Sequence, residues 1–191
     1  MSKQEPIKAM EIHGEKKKIV LAGNPNVGKS VFFNSLTGIY VDVSNFPGTT
    51  VDVSHGHFEE YAVIDTPGVY GISSFNDEEK VARDVILTAD LIVNVVDAVH
   101  LERDLFLSLQ VIETGIPTII VLNMMDDAKR EGLKIDLALL EEQLGVPVIP
   151  AVAIKGKGLK ELKEKLREAR TGNIPLERQA QLKALTCRNY C

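Results

Sequence analysis

The chain has 191 residues, of which 45% are hydrophobic and 26% charged, with a formal net charge of −5. That length suits one domain of about 170 residues plus tails, and the acidic balance lacks the basic footprint of nonspecific nucleic-acid binding. No stretch reaches the roughly 18 consecutive apolar residues that argue for a membrane-spanning helix. Residues 1–18 also lack the apolar centre of a secretory signal, so the expected location is the cytoplasm. The two cysteines, Cys187 and Cys191, lie in a polar tail and read as reduced thiols.

Residues 1–16 read as an N-terminal extension. Residues 17–22 form an apolar run with the composition of a buried strand. It enters Gly23-Asn24-Pro25-Asn26-Val27-Gly28-Lys29-Ser30, which fits G-x-x-x-x-G-K-[ST]. Residues 29–37 continue as a helix. Strand, glycine loop and helix are the context this phosphate-binding motif requires. Glycines let the backbone turn closely around an anion. The loop N–H groups and the helix N-terminus then face phosphate oxygens. Lys29 brings charge to the outer phosphates, and Ser30 offers a hydroxyl to Mg²⁺.

Residues 38–48 read as a long loop carrying the turn signal Pro47-Gly48. Loops of this length in compact domains are usually functional. Residues 50–58 alternate as a half-exposed strand and form a hairpin with residues 61–64 across Glu59-Glu60. Residues 77–87 read as a helix with Asn76 as N-cap and Glu79 as its capping-box partner. Buried strands follow at 91–96 and 117–122, with a helix between them at 101–114. Asp97, His100, Glu102 and Asp104 read as a polar loop and helix start. Residues 135–144 are helical, 146–149 form a short strand, and 159–169 form a last helix. His55 and His57 share a strand face but are too few for a metal site. No internal repeat is evident. Strands alternating with helices predict an α/β domain with a mostly parallel six-stranded sheet flanked by helices. Its ligand belongs at the carboxyl ends of the strands.

Three further runs narrow the ligand from a nucleoside triphosphate to a guanine nucleotide. Asp65-Thr66-Pro67-Gly68 closes a strand, where Asp65 can hold Mg²⁺ through water and the Gly68 N–H can meet the γ-phosphate. Asn123-Met124-Met125-Asp126 resembles the N-K-x-D base-reading motif. Asp126 can accept from guanine N1–H and the exocyclic amine, a donor pair that adenine lacks. Met124 stands in place of the lysine and predicts weaker affinity with specificity kept. Val152-Ala153-Ile154-Lys155 follows the last strand where GTPases carry an S-A-K-like loop, and the Ala153 N–H can meet guanine O6. Of Thr49 and Thr50, Thr50 is the favoured residue to reach Mg²⁺ and the γ-phosphate, closing the loop only with GTP bound.

In this order, Gly23–Ser30, then Asn45-Phe46-Pro47-Gly48-Thr49-Thr50-Val51-Asp52, Asp65-Thr66-Pro67-Gly68-Val69-Tyr70 and Asn123-Met124-Met125-Asp126 resemble the N-terminal G domain of the ferrous-iron transport protein B family, FeoB. The Asn-aromatic-Pro-Gly-x-Thr-Val-acid run and the N-M-x-D variant are its distinctive parts. The resemblance covers residues 17–170 and implies a P-loop small-GTPase-like fold with Mg²⁺-dependent GTP hydrolysis. In that family a helical domain that modulates nucleotide release comes next, and then a membrane permease. Residues 171–191 read as a C-terminal tail compatible with the start of such a helical domain. The family also implies a place at the inner face of the cell membrane, with a permease domain or other iron-transport components as partners. The chain itself is expected neither to insert into a membrane nor to bind nucleic acid.

The resemblance further implies a K⁺ site. Asn26 matches the asparagine that helps to bind K⁺ beside the phosphates in potassium-activated relatives, where the ion takes the place of an arginine finger. Val69 stands where Ras-like proteins carry a water-orienting glutamine. Motifs and resemblance together place GTP or GDP on residues 23–30, on Gly48, Thr49, Thr50, Val51 and Asp52, on Asp65 to Gly68, on Asn123 to Asp126, and on Val152, Ala153 and Ile154. The catalytic set is Lys29, Thr50, Gly68 and Asn26. Mg²⁺ falls to Ser30, Thr50 and Asp65. Two other readings stand beside this one: a free-standing GTPase of ribosome assembly or tRNA modification, and a slowly hydrolysing GTP sensor that recruits a partner through residues 38–50 and 69–76.

Overall fold

The computed structural model describes residues 16–38, 41–73 and 76–168. The expected tail at 171–191, with both cysteines, and the expected extension up to residue 15 lie outside the described residues. One sheet of seven strands runs in the order β2-β3-β4-β1-β5-β6-β7. Its centre is β1 (Lys18–Gly23), parallel to β4 (Tyr61–Asp65) on one side and β5 (Leu91–Asp97) on the other. Beyond β5 lie β6 (Thr118–Asn123) and β7 (Val148–Pro150), also parallel.

Strand alternation sorts the core into two faces. Ile19 and Leu21 of β1 pack with Phe32, Phe33 and Leu36 of α1 (Lys29–Thr37) and with Leu162 and Leu166 of the last helix, Leu159–Glu168. Val20 and Ala22 point the other way, into Val81, Ala82, Val85 and Ile86 of α2 (Asp77–Ile86) and Leu107 and Val111 of α3 (Leu101–Glu113). Each large apolar side chain so buried contributes about 1.5–3 kcal/mol. Because β1 is covered on both faces, it reads as one uninterrupted apolar run. A third cluster joins Ile120 and Leu122 of β6 to Ala128 of α4 (Met125–Arg130) and Leu144 of α5 (Leu137–Leu144). The Leu159–Glu168 helix is therefore α6. Among the described residues no helix is long and apolar enough to cross a membrane.

The cap expected at Asn76 is present: its side chain accepts the Glu79 N–H at 2.7 Å. The hairpin across Glu59-Glu60 is also present, joining β3 (Asp52–Phe58) antiparallel to β4, with Glu59 at φ 53°. The sheet has one strand more than expected, because residues 42–45 form β2 (Asp42–Asn45), antiparallel to β3. The signal lies in a short repeat: Val41-Asp42-Val43-Ser44 recurs as Val51-Asp52-Val53-Ser54. These two alternating segments pair with each other, Val43 opposite Ser54 and Ser44 opposite Val53. An exposed edge strand needs no apolar face, which is why composition alone read it as loop.

Candidate functional site

The strand order reverses at β1, and the parallel strands β1, β4, β5, β6 and β7 all end on one edge. That is the switch point at which open α/β sheets bind ligands. The loop after β1 passes through Gly28 at φ 88°, where a Cβ would lie 2.5 Å from Asn123 Nδ2. Glycine is thus required twice over, by conformation and by contact. Gly28 caps α1 without a side-chain hydrogen bond, and no acidic residue occupies the first turn. No side-chain cap or first-turn carboxylate therefore competes for the N-terminal end of α1, where Val31 N–H donates to the Gly28 carbonyl at 3.1 Å.

Lys29 is buried at the start of α1, and its Nζ donates to Asp65 Oδ1 and to the Thr66 carbonyl. A buried ammonium requires such partners. Asp65 also accepts from Ser30 Oγ, 3.3 Å from its Oδ2. The loop after β4 is fixed against β1: Thr66 donates to the Leu21 carbonyl from both N–H and Oγ1, at 3.2 and 2.8 Å, and Val69 N–H donates to the Gly23 carbonyl at 3.2 Å. Gly68 sits so close to this loop that a Cβ would lie 2.9 Å from Pro25 Cα. Lys29, Ser30, Asp65, Thr66 and Gly68 are thus one cluster.

Asn123 ties three loops together. Its Nδ2 donates to the Val27 carbonyl, and its Oδ1 accepts the Ala153 N–H, each at 2.9 Å. It ends β6, and Met124 follows at φ 61°, starting the short helix α4. Met125 N–H donates to the Ala151 carbonyl at 3.2 Å. Asp126 lies in the first turn of α4 and accepts from Lys155 Nζ at 2.7 Å. That hydrogen bond, with help from the lysine charge, holds the Asp126 carboxyl below the usual carboxylate range. Val152 is buried, Ala153 half-buried and Ile154 82% exposed, the last two within a 3-10 turn, Ala153–Lys155.

A family profile described as Ferrous iron transport protein B matches residues 17–166. The chain belongs to the ferrous iron transport protein B family. It is 40% identical over 178 residues to the Fe(2+) transporter FeoB of Salmonella typhimurium, covering 87% of this chain and 23% of that protein. It thus spans about a quarter of the length of such curated relatives. Among solved structures, an S. thermophilus NFeoB mutant bound to mGDP is 41% identical with a TM-score of 0.79, covering 84% of this chain and 65% of that one. The G domain of T. maritima FeoB is 39% identical with a TM-score of 0.74, covering 82% of this chain and all of that one. The fold is accordingly that of the FeoB G domains, a P-loop GTPase fold.

Against this family frame, the predicted motifs divide into two groups. The runs at 23–30, 65–68, 123–126 and 152–154 converge through the contacts above. The run at 48–52 stands apart, as the turn of the β2–β3 hairpin. There Thr49 Oγ1 donates to the Phe46 carbonyl at 3.0 Å and accepts from Val51 N–H at 3.2 Å. Gly48 has φ 80°, Thr50 is exposed, and Asp52 pairs with Asn45. Phe46 and Val51 pack against the α2–α3 core. Asn26 is exposed at φ 66°, and Val69 is buried in the same core.

Asp104 corrects the reading of its segment as polar surface: it is 1% exposed. Its Oδ1 accepts from Asn24 Nδ2 at 2.6 Å and from Arg103 Nε at 2.8 Å, and its Oδ2 accepts from Asp97 N–H at 3.0 Å. It therefore anchors the second residue of the phosphate-loop motif to α3. Its position was legible: Asp104, Leu107, Ser108 and Val111 share one helical stripe, the buried one. Ser108 Oγ on that stripe donates to Asn94 Oδ1 of β5 at 2.5 Å. Among the described residues no group of three or more histidine, cysteine, aspartate or glutamate side chains is placed to hold a metal ion.

Proposed function

We propose that this domain is a guanine-nucleotide switch that binds GTP with Mg²⁺, hydrolyses it, and serves ferrous iron transport. The observation that carries the reading is Asn123, which joins the phosphate loop at Val27 to the base-side turn at Ala153. A single asparagine thereby sets the spacing between a triphosphate cradle and Asp126. Support also comes from relatives named as Fe(2+) transporters and from a similar structure solved with mGDP.

The residues fit the roles. Lys29 and the first-turn N–H groups of α1 hold the phosphate charge, and the Gly68 N–H meets its outer end. Asp126 accepts from the guanine edge, and the Ala153 N–H meets O6. Ser30 Oγ and the Asp65 carboxylate already converge at 3.3 Å and offer the hard oxygen donors that Mg²⁺ selects. Thr50 completes that set when the hairpin turn closes. When bound, Mg²⁺ neutralises charge on the transferring phosphoryl group. Asn26 offers an amide oxygen beside the phosphates for K⁺. Lys29 and Asp65, which neutralise each other here, separate when a triphosphate enters, the lysine turning to the phosphates. The buried Val69 has no group to orient water, so the backbone and charges of the loops position the nucleophile. The chain is the cytoplasmic part of the assembly, with the permease and iron translocation supplied by other segments or components.

Val69 also favours a second reading, a GTP sensor with slow turnover that recruits a partner through residues 38–50 and 69–76. GTP turnover in K⁺ against Na⁺ separates the two. The switch reading expects turnover that K⁺ stimulates and that Asn26→Ala returns to its Na⁺ level. Slow turnover indifferent to both the cation and Asn26 would leave the sensor.

A further inference from the structure

Bidentate recognition of guanine takes both oxygens of Asp126, one for N1–H and one for the exocyclic amine. One of them is engaged within the chain: Oδ2 accepts from Lys155 Nζ at 2.7 Å. Lys155 ends the 3-10 turn Ala153–Lys155, whose backbone is pinned on both sides. Ala153 N–H is held by Asn123 Oδ1 at 2.9 Å, and Lys155 N–H by the Val152 carbonyl at 2.9 Å. Val152 and Lys157 exchange backbone bonds at 3.2 and 3.3 Å, with Gly156 between them at φ 66°. The turn is thus a fixed post, and the Lys155 side chain is a movable arm, 55% exposed.

We propose that Lys155 is an affinity-setting latch: its ammonium occupies the Asp126 carboxylate in the nucleotide-free domain and must leave Oδ2 before guanine can engage. The proposal rests on the guanine reading of Asp126 above. The free domain divides between a latched form and an open, base-competent form. Exposed lysine–carboxylate pairs favour the closed form by roughly 1.4- to 5-fold. A ligand that binds only the open form has its affinity reduced by the open fraction. Removing the latch therefore tightens binding by about two- to sixfold. Because the pair is exposed, salt screens it, and the gain fades as the Debye length shrinks from about 10 Å at 0.1 M to about 3 Å at 1 M. A lysine that merely supported Asp126 would act in the opposite sense, since its removal would weaken binding.

The test uses the full 191-residue chain, with N-methylanthraniloyl-GDP and Mg²⁺ in stopped-flow and equilibrium titrations. Lys155→Met keeps the apolar stem and removes the charge, and Lys155→Arg keeps the charge. The methionine variant is expected to bind about two- to sixfold tighter at low salt, and the arginine variant to stay near wild type. The difference closes as choline chloride is raised, a salt that leaves K⁺ chemistry untouched. Equal or weaker binding by Lys155→Met at low salt overturns the latch while leaving the guanine site standing. Failure of the wild type to bind GDP overturns the guanine site and the latch with it.

Discussion

Replacing Asn123 by alanine separates the loops that it joins. The side chain is 3% exposed and makes two hydrogen bonds of 2.9 Å, to the Val27 carbonyl and from the Ala153 N–H. Val27 is buried, so its carbonyl loses a partner that water does not readily replace, at about 1–3 kcal/mol. Ala153 is half-buried and recovers part of its bond from solvent, so its share is about 0.5–1 kcal/mol. The sum, about 2–4 kcal/mol, corresponds to a fall in Tm of roughly 4–16 °C for a domain of this size. Gly28→Ala tests the same contact from the other side. Its Cβ would lie 2.5 Å from Asn123 Nδ2, on a backbone at φ 88° that already strains an L-residue by about 1–2 kcal/mol. In Gly28→Ala/Asn123→Ala the contact is gone and the strain remains. The double variant should therefore be more stable than the sum of the singles by about 1–2 kcal/mol. Urea unfolding of the four proteins completes the cycle. Additive losses, or an Asn123→Ala Tm within about 2 °C of wild type, would refute the assignment of Asn123 as the tie between the loops.

Asp104→Ala leaves Asn24 Nδ2 and the Asp97 N–H without their acceptor and should lower unfolding free energy by about 2–6 kcal/mol, about 1–3 for each orphaned donor, with Asp104→Asn losing less; urea midpoints in the order wild type, Asn, Ala check it. Burial lowers the His55 pKa from 6.5, with Asp42 opposing more weakly, so the unfolded chain binds the proton more readily. The contribution of His55 to stability is then constant above about pH 7.5 and falls as pH drops through the ordinary histidine range towards the folded pKa. Urea midpoints of wild type and His55→Gln should diverge on acidification, and parallel curves would refute this.

Most of the sheet was legible because its central strands are apolar runs bounded by polar or turn-forming residues, as Leu91 to Val96 between Asp90 and Asp97 shows. The phosphate loop was legible because Gly28 and Lys29 have few alternatives for their chemistry. The missed features are those in which polar residues do structural work. Strand β2 has all four residues exposed and only one apolar residue, Val43, so its alternation is too short to mark it as a strand, and its pairing depends on the partner Asp52–Phe58. Helix α4 is six residues long and is preceded by Met124 as an N-cap in the left-handed region, which propensity does not anticipate. Asp104 looked like surface because charged residues are rarely buried. Only its place on the stripe with Leu107 and Val111 gives it away, and only the fold shows that Asn24 is what it meets.

The bonding around the phosphate loop bears on how a switch would work here. The loop is held near both ends by side chains from other strands and helices: Asn24 by Asp104 of α3, and the Val27 carbonyl by Asn123 at the end of β6. A cradle so pinned keeps its N–H groups aimed whether or not an anion is present, which is the preorganisation that phosphate binding rewards. The turn of the β2–β3 hairpin is built differently. Thr49 bonds to Phe46 and Val51 of the same turn, Thr50 is exposed, and β2 lies at the sheet edge. The hydrogen bonds of the turn are local, so opening it would leave the cradle intact and cost chiefly the packing of Phe46 and Val51 against the α2–α3 core. On the proposed reading, fixed phosphate loop and threonine turn together would make a two-state element that a γ-phosphate biases. In the proposed switch the bias would act through Thr50 of the movable turn together with Gly68, which meets the outer phosphate, while the pinned cradle would hold the phosphates common to GDP and GTP.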